Sequence, residues 1–213
     1  MADAAEFDDW YRDDPDPFGV RTRWYERRKR AVLLASLQLE RYRCAWDPAC
    51  GTGDLALALA GRSEHVVGSD VSARAVALSR DLTTEHAGVE ILQIELPDVA
   101  GIARSRSGAS TEGFDLLVLS EVLYYLPVLA RAATVAGLDT AMRATGPVEL
   151  VSVHWRHHPH DGFLSGADVT AELDGQLRAR GWRGAVRHDD ADFVLASWTR
   201  DTPEGRQGEP PWT

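Results

Sequence analysis

With 213 residues the chain fits one domain of ordinary to large size, long enough to bury a real core. A formal charge of -10 argues against a phosphate backbone as partner, because such binding rests on neutralising lysines and arginines. No apolar run approaches the roughly 18 residues of a membrane helix and no basic-then-apolar leader is visible, so neither nucleic acid nor membrane is expected as a partner, and the expected location is the cytoplasm.

In chain order, the opening MADAAEFDDWYRDDPDPFG is acidic and carries Pro15 and Pro17, which forbid one continuous helix. Trp10, Tyr11 and Phe18 nevertheless give it enough aromatic surface to fold back onto the body. Between Val20 and Tyr42, residues Trp24, Ala31, Leu34 and Leu37 or Leu39 recur at helical spacing and predict a helix ahead of the first strand. Cys44 and Cys50, around that strand's end, are too few and too badly spaced for a disulfide framework or a zinc site, and read as reduced.

Short apolar runs then alternate with helical stretches. Strands are expected at 44–47, 65–70, 89–94, 114–119 and 148–154, and helices at 54–61, 73–85, 128–144 and 167–180. The polar stretch 102–113 reads as a surface loop, and the segments 184–187 and 193–198 flank a turn and read as a hairpin. The fold class is therefore α/β: a Rossmann-like, seven-stranded, mostly parallel sheet with an antiparallel last strand and helices on both faces. It occupies one domain over residues 1–200, with 1–42 as a leading lid and helix, and the Pro- and Gly-rich 201–213 as a disordered tail.

The stretch AWDPACGTGDLA, residues 45–56, joins the first strand to the helix after it. Gly51 and Gly53 let backbone and ligand approach closely, while free N–H groups at the start of the following helix face the turn. A glycine pair alone is also what any tight strand-to-helix connection needs. Asp70 adds to it: it ends the next strand about twenty residues on, beside Val71, where an acid can accept hydrogen bonds from both hydroxyls of a ribose. Ser72 is the better N-cap for the helix that follows, which leaves Asp70 for that role. These features also satisfy the dinucleotide pattern G-x-G-x-x-A. Asp47 speaks against a pyrophosphate, since a carboxylate before the turn repels a dianion and attracts a cationic tail.

DPACGTG resembles motif I of the class I S-adenosylmethionine-dependent methyltransferases, an acid followed by G-x-G-x-G, with Ala49 in place of the first glycine. The resemblance implies S-adenosyl-L-methionine as cofactor and S-adenosyl-L-homocysteine as product. It implies Asp47, Ala49, Gly51 and Gly53 along the methionine portion, Asp70 and Val71 at the ribose, Glu95 at the adenine amino group and backbone N–H groups near Leu96 facing the ring. FDLLVLSEVLYYLP, residues 114–127, resembles motif IV and brings Ser120 and Glu121 to the carboxyl edge of the sheet, where open α/β folds bind ligands. With Tyr124 and Tyr125, and with DPDPFGVRTRWYERRKR and VSVHWRHHPHDGFLSGADV, the chain is similar to the NodS-type nodulation methyltransferases, which N-methylate the amine of a deacetylated chito-oligosaccharide.

Methyl transfer from a sulfonium is an in-line displacement, so the protein must align the acceptor's lone pair and make it available. Glu121 is the first candidate to bind the acceptor's ammonium or take its proton; a plain carboxylate at a helix N-terminus is the alternative. His154, at the end of the fifth strand, is expected at the same edge as a proton acceptor, with Trp155 beside it to stack on a sugar or an adenine. One of Tyr124 and Tyr125 is expected in the core and the other in the cleft. Tyr11, Arg23 and Trp24 are expected in a lid, against simple packing of the leading helix. No metal is expected: Pro159 interrupts the run His157, His158, His160, and displacement at a sulfonium needs none. The expected function is methylation of an amine on a small molecule or saccharide. O-methylation of a metabolite, an NAD-dependent oxidoreductase and a cofactor-binding module without chemistry stand as alternatives.

Overall fold

A computed structural model describes residues 4–105, 113–143 and 146–201. The tail expected at 201–213 lies, beyond Asp201, outside the described residues, as does 106–112 of the expected loop.

The leading segment begins with helix α1 (Ala4–Asp13), which stops before Pro15, and α2 (Trp24–Ser36) follows. The alternation then runs β1 (Tyr42–Pro48), α3 (Asp54–Ala60), β2 (Ser63–Asp70), α4 (Ala73–Thr83), β3 (Val89–Gln93), α5 (Val99–Ser105), β4 (Leu116–Ser120), α6 (Val128–Ala141), β5 (Pro147–Trp155), α7 (Gly166–Arg178), β6 (Arg183–Asp189) and β7 (Phe193–Asp201). Helix α5 was not expected, and its last residues, 102–105, are helical where the sequence predicted a surface loop. It is seven residues long and begins in the stretch PDVAGIARS, whose glycine and short apolar face carry little helical period.

The seven strands lie in the order β3-β2-β1-β4-β5-β7-β6. The first five pair in parallel, and β7 is antiparallel to both of its neighbours. The hairpin turn between β6 and β7 imposes that reversal. Because side chains alternate across a strand, each strand feeds two cores. Leu117 and Leu119 of β4 join Trp46, Val135, Leu138 and Leu173 under α5, α6 and α7, whereas Leu116 and Val118 join Leu33, Leu59, Val76 and Val153 under α2, α3 and α4. Strand order reverses between β1 and β4, and the crevice that opens beyond their carboxyl ends is where such sheets take ligands.

The stripe that seats α2 agrees with the expected one at Leu34 and Leu37 and departs from it in the earlier turns. Lys29 and Leu33 are buried, and Tyr25 is half-buried, whereas Ala31 and Trp24 are exposed, Trp24 by 68%. The tolerance of this face for a lysine hid it from a hydrophobic count.

Candidate active site

A cavity of about 950 Å³ opens at the carboxyl edge of β1, β2, β4 and β5 and is roofed by α1, α2 and the turn between them. That volume lies at the upper end for small-molecule sites and accommodates more than one ligand. The parity of the strands decides what reaches it: Asp47, Asp70, Ser120, Val153 and Trp155 line it, all on the α2-facing side of their strands.

At the first wall, β1 delivers Asp47, which is 1% exposed, and whose Oδ2 is buried with no hydrogen-bond partner. Burial, and then the charge of Asp70, push its carboxyl well above the ordinary range. Asp70, at the end of β2, is also raised by burial, though it accepts from the N–H of Gly51 at 2.9 Å and of Ser72 at 3.0 Å. It thereby ties the glycine turn to the next strand end. The turn carries Ala49 at φ 57 and Gly51 at φ 54, both left-handed. A side chain at Gly51 would meet the Tyr11 hydroxyl at 2.9 Å. Val71, Glu95 and Leu96 line the same wall, with Glu95 exposed.

Of the two remaining expected residues of this wall, one lines the cavity and one does not. Ala49, the departure from the glycine pattern, does line the cavity and holds a left-handed conformation that costs about 1–2 kcal/mol for a residue with a Cβ. Gly53 does not line it. It sits behind the turn at φ 83 as the N-cap of α3, where a Cβ would fall 2.2 Å from Ser79 Oγ, so its glycine serves the packing of α4.

At the second wall stands Glu121, also left-handed at φ 55, just past β4. Both carboxylate oxygens are filled. Oε1 accepts from Lys29 and from the Tyr25 hydroxyl at 3.3 Å, and Oε2 accepts from the Tyr124 hydroxyl and from the Trp155 N–H at 2.7 Å. Burial alone would raise this carboxyl, but Lys29 and the hydrogen bonds outweigh it and hold it below its ordinary value. Lys29, 4% exposed, also contacts Glu26 at 2.9 Å and lies over the Tyr25 ring at 4.9 Å. Burial opposes its charge, but Glu121 and Glu26 win and raise its pKa. Lys29, Tyr25 and Glu26 were not anticipated. The signal was present in the sequence, since Lys29 is the only lysine in a chain of 23 basic residues.

The expectation for His154 fails. Next to Val153 and Trp155 in β5 it points to the opposite face, is fully buried and does not line the cavity. Its Nε2 accepts from the Leu123 N–H at 3.2 Å and its Nδ1 pairs with Ser152 Oγ at 3.0 Å, so both ring nitrogens are engaged. Burial lowers its pKa to about 4. It is a neutral structural histidine supporting the turn that carries Tyr124.

Tyr124 and Tyr125 both line the cavity, Tyr124 buried and Tyr125 half-buried, with rings edge to face at 4.7 Å. From the roof come Tyr11 and Arg23, while Trp24 is turned outward and does not line it. The roof is fastened at Asp8, which accepts from the Ser72 hydroxyl and from the Arg74 N–H at 3.1 Å, and at Phe7, whose ring meets Tyr125 at 5.9 Å. Ser72 caps α4 by accepting from Ala75 at 3.0 Å, as its position in the sequence suggested. Among the described residues no three or more His, Cys, Asp or Glu gather as a metal would require, and no helix is long and apolar enough to cross a membrane.

A doubly wound sheet with carboxylates at successive strand ends and a glycine turn at the switch point defines a class of proteins that hold a nucleoside-bearing ligand. Comparison with known proteins makes it particular. A methyltransferase-domain family model matches residues 45–146. A solved protein from Pseudomonas syringae, described as a methyltransferase, is 32% identical, with 84% of this chain and 100% of that chain covered and a TM-score of 0.67. The N-methyltransferase NodS from Bradyrhizobium japonicum WM9, solved with S-adenosyl-L-homocysteine, is 19% identical over 94% of this chain and 98% of its own, with a TM-score of 0.72. DhpI, also solved with S-adenosyl-L-homocysteine, is 20% identical over 94% and 96%, with a TM-score of 0.64. No curated protein matches by sequence. The chain belongs to the class I S-adenosylmethionine-dependent methyltransferases.

S-adenosylmethionine is accordingly its cofactor, and the first wall fits it. The ligand brings a sulfonium and an ammonium to a wall whose buried Asp47 oxygen has no donor, beside a turn open enough at Gly51 for close approach. The oxidoreductase alternative falls with the family.

Proposed function

We propose that the protein methylates an amine carried by a small molecule, amino sugars and their oligosaccharides included. The observation that carries this reading is the charge of the cavity: eight carboxylate residues line it, against Arg23, Lys29 and Arg30. Such an excess favours cations. The cofactor, with two cationic groups and one carboxylate, offsets only part of it. What remains suits a protonated amine and repels an anionic acceptor. The likeness in fold to NodS, an N-methyltransferase, agrees with this reading.

In this reading Asp47 receives the ammonium of the cofactor's amino-acid tail, with Ala49 and Gly51 alongside. Asp70 and Val71 receive the ribose, Glu95 and Leu96 border the adenine, and Ser120 closes the floor. When bound, S-adenosylmethionine would supply a sulfonium-borne methyl group to the acceptor nitrogen, whose lone pair becomes free once the ammonium has lost its proton to solvent. The chain's own residues bind, orient and exclude water. Trp155, whose backbone N–H donates to Glu121, and Tyr125 flank the acceptor.

Isothermal titration with S-adenosylmethionine and S-adenosylhomocysteine tests the first half. Both should bind, and Asp47→Asn should weaken them by at least about tenfold, the scale of one hydrogen bond to a charged group. No heat at ligand concentrations near about 1 mM would overturn the site assignment. Turnover of a panel of amines and phenols, read by mass, tests the second half, with methylated amines expected.

A further inference from the structure

Hydrogen-bond accounting separates the carboxylates around the cavity. A carboxylate offers about four lone-pair sites, and Glu121 has a donor for each. Asp70 is bonded to two backbone N–H groups and Asp54 to Arg21 and Thr52, while Glu26 holds Lys29. Glu95 and Asp192 are exposed and solvated. Two remain that are largely buried and whose Oδ2, among the described residues, has no donor: Asp47 and Asp161.

Asp161 lies in the segment between β5 and α7, with its side chain 14% exposed. Among the described residues its Oδ2 is buried without a partner, and the His160 ring, with a side chain 93% exposed, keeps its Nδ1 3.6 Å from Oδ1, beyond hydrogen-bonding distance. The segment is held in place: the Phe163 N–H donates to the Tyr124 carbonyl at 2.7 Å, the Gly162 N–H to Pro159 at 3.1 Å, and the Gly166 N–H to His157 at 3.3 Å. Gly166 has no room for a side chain, since a Cβ would fall 2.0 Å from the Trp155 carbonyl. Asp161 is thus fixed in a segment bonded to Tyr124 and lines the cavity together with Tyr124 and Tyr125. A buried carboxylate oxygen without a donor costs about 1–3 kcal/mol, which a ligand bearing N–H groups relieves.

Resting on the amine reading above, we propose that Asp161, and not Glu121, is the residue that receives the protonated amine of the acceptor. Glu121 then works as a positioning residue: its charge is spent on Lys29, and its hydrogen bonds fix Tyr25, Tyr124 and Trp155 around the acceptor. Specificity for amines over alcohols resides in Asp161, because a hydroxyl brings one donor and no charge to an acceptor-only site.

The test uses the full chain loaded with S-adenosylhomocysteine, titrated with glucosamine and phenethylamine and with their neutral counterparts, glucose and 2-phenylethanol. The wild type should bind the amines more tightly than the alcohols. Asp161→Asn should lose at least about tenfold in amine affinity while binding S-adenosylhomocysteine as the wild type does, and Asp161→Glu should restore part of the loss. Amine preference that is unchanged in Asp161→Asn would overturn the assignment to Asp161 and leave the amine reading standing. A wild type without preference for the amines, binding of neither included, would overturn the amine reading itself. The unaltered titration of S-adenosylhomocysteine shows that each variant is folded.

Discussion

Replacing Lys29 by methionine keeps the aliphatic stem against Tyr25 and removes only the ammonium. Glu121 then retains the hydroxyls of Tyr25 and Tyr124 and the N–H of Trp155, but its charge has lost the ammonium that touches it. Breaking one partner out of a buried pair costs about 3–5 kcal/mol, chiefly because the remaining charge stays desolvated. Glu26, half-buried beside it, adds to the loss. Urea denaturation followed by tryptophan fluorescence should therefore show Lys29→Met less stable by about 3–5 kcal/mol at pH 7. The double variant Lys29→Met/Glu121→Gln should be less destabilised than the two singles together, with a coupling of about 1–3 kcal/mol. The acid side gives an independent signature. In the wild type, the Glu121 carboxyl lies below its ordinary value of 4.5, so its stabilisation is present above that value and is lost as pH falls through the folded pKa. The Lys29 ammonium is raised above its ordinary 10.5, so its contribution is complete below that value, and the pair is intact across the neutral range. Without Lys29, burial lifts the Glu121 carboxyl instead, and the penalty fades as it protonates. The gap between variant and wild type should narrow toward acid. A Lys29→Met protein within about 1 kcal/mol of wild type, or strict additivity in the double variant, would refute the description of Glu121 as a buried, saturated hub.

Two further outcomes are expected from the buried His154 and the left-handed Ala49. His154 has a pKa near 4 in the folded protein and 6.5 unfolded, so the unfolded chain binds its proton first and stability falls as pH drops from about 7 toward 4. Between pH 7 and 5 that loss is about 2 kcal/mol, and His154→Gln should flatten it in denaturation curves taken at the two pH values. Ala49→Gly relieves a left-handed backbone costing about 1–2 kcal/mol, against an unfolded-state entropy gain of about 0.4–1 kcal/mol, so thermal unfolding without cofactor should show a net stabilisation of up to about 1.6 kcal/mol. Titration should find cofactor affinity unchanged.

Much of the fold was legible, because strands of a parallel sheet covered on both faces are short apolar runs, and their carboxyl ends can be counted to. Asp47, Asp70 and Glu121 were placed at the edge in that way, and they line the cavity. What the spacing could not resolve was parity. His154 and Trp155 are neighbours in sequence, and only the pairing of β5 with β4 and β7 turns one into the core and the other into the cleft. The same one-residue margin separates the exposed Trp24 from Tyr25 on α2.

The amino-acid sequence by itself determined the order of strands and helices, the glycine turn, and the acids at successive strand ends. Each of these is local, set by periodicity, backbone freedom and the length of a run. Only the tertiary structure decided which carboxylates are satisfied. Glu121 draws donors from α2, from the turn after β4 and from the end of β5, segments as far as 96 positions away, whereas among the described residues the Oδ2 of Asp47 and of Asp161 has no donor. Hydrogen-bond satisfaction depends on what is packed around a group, and no stretch of sequence carries that information locally.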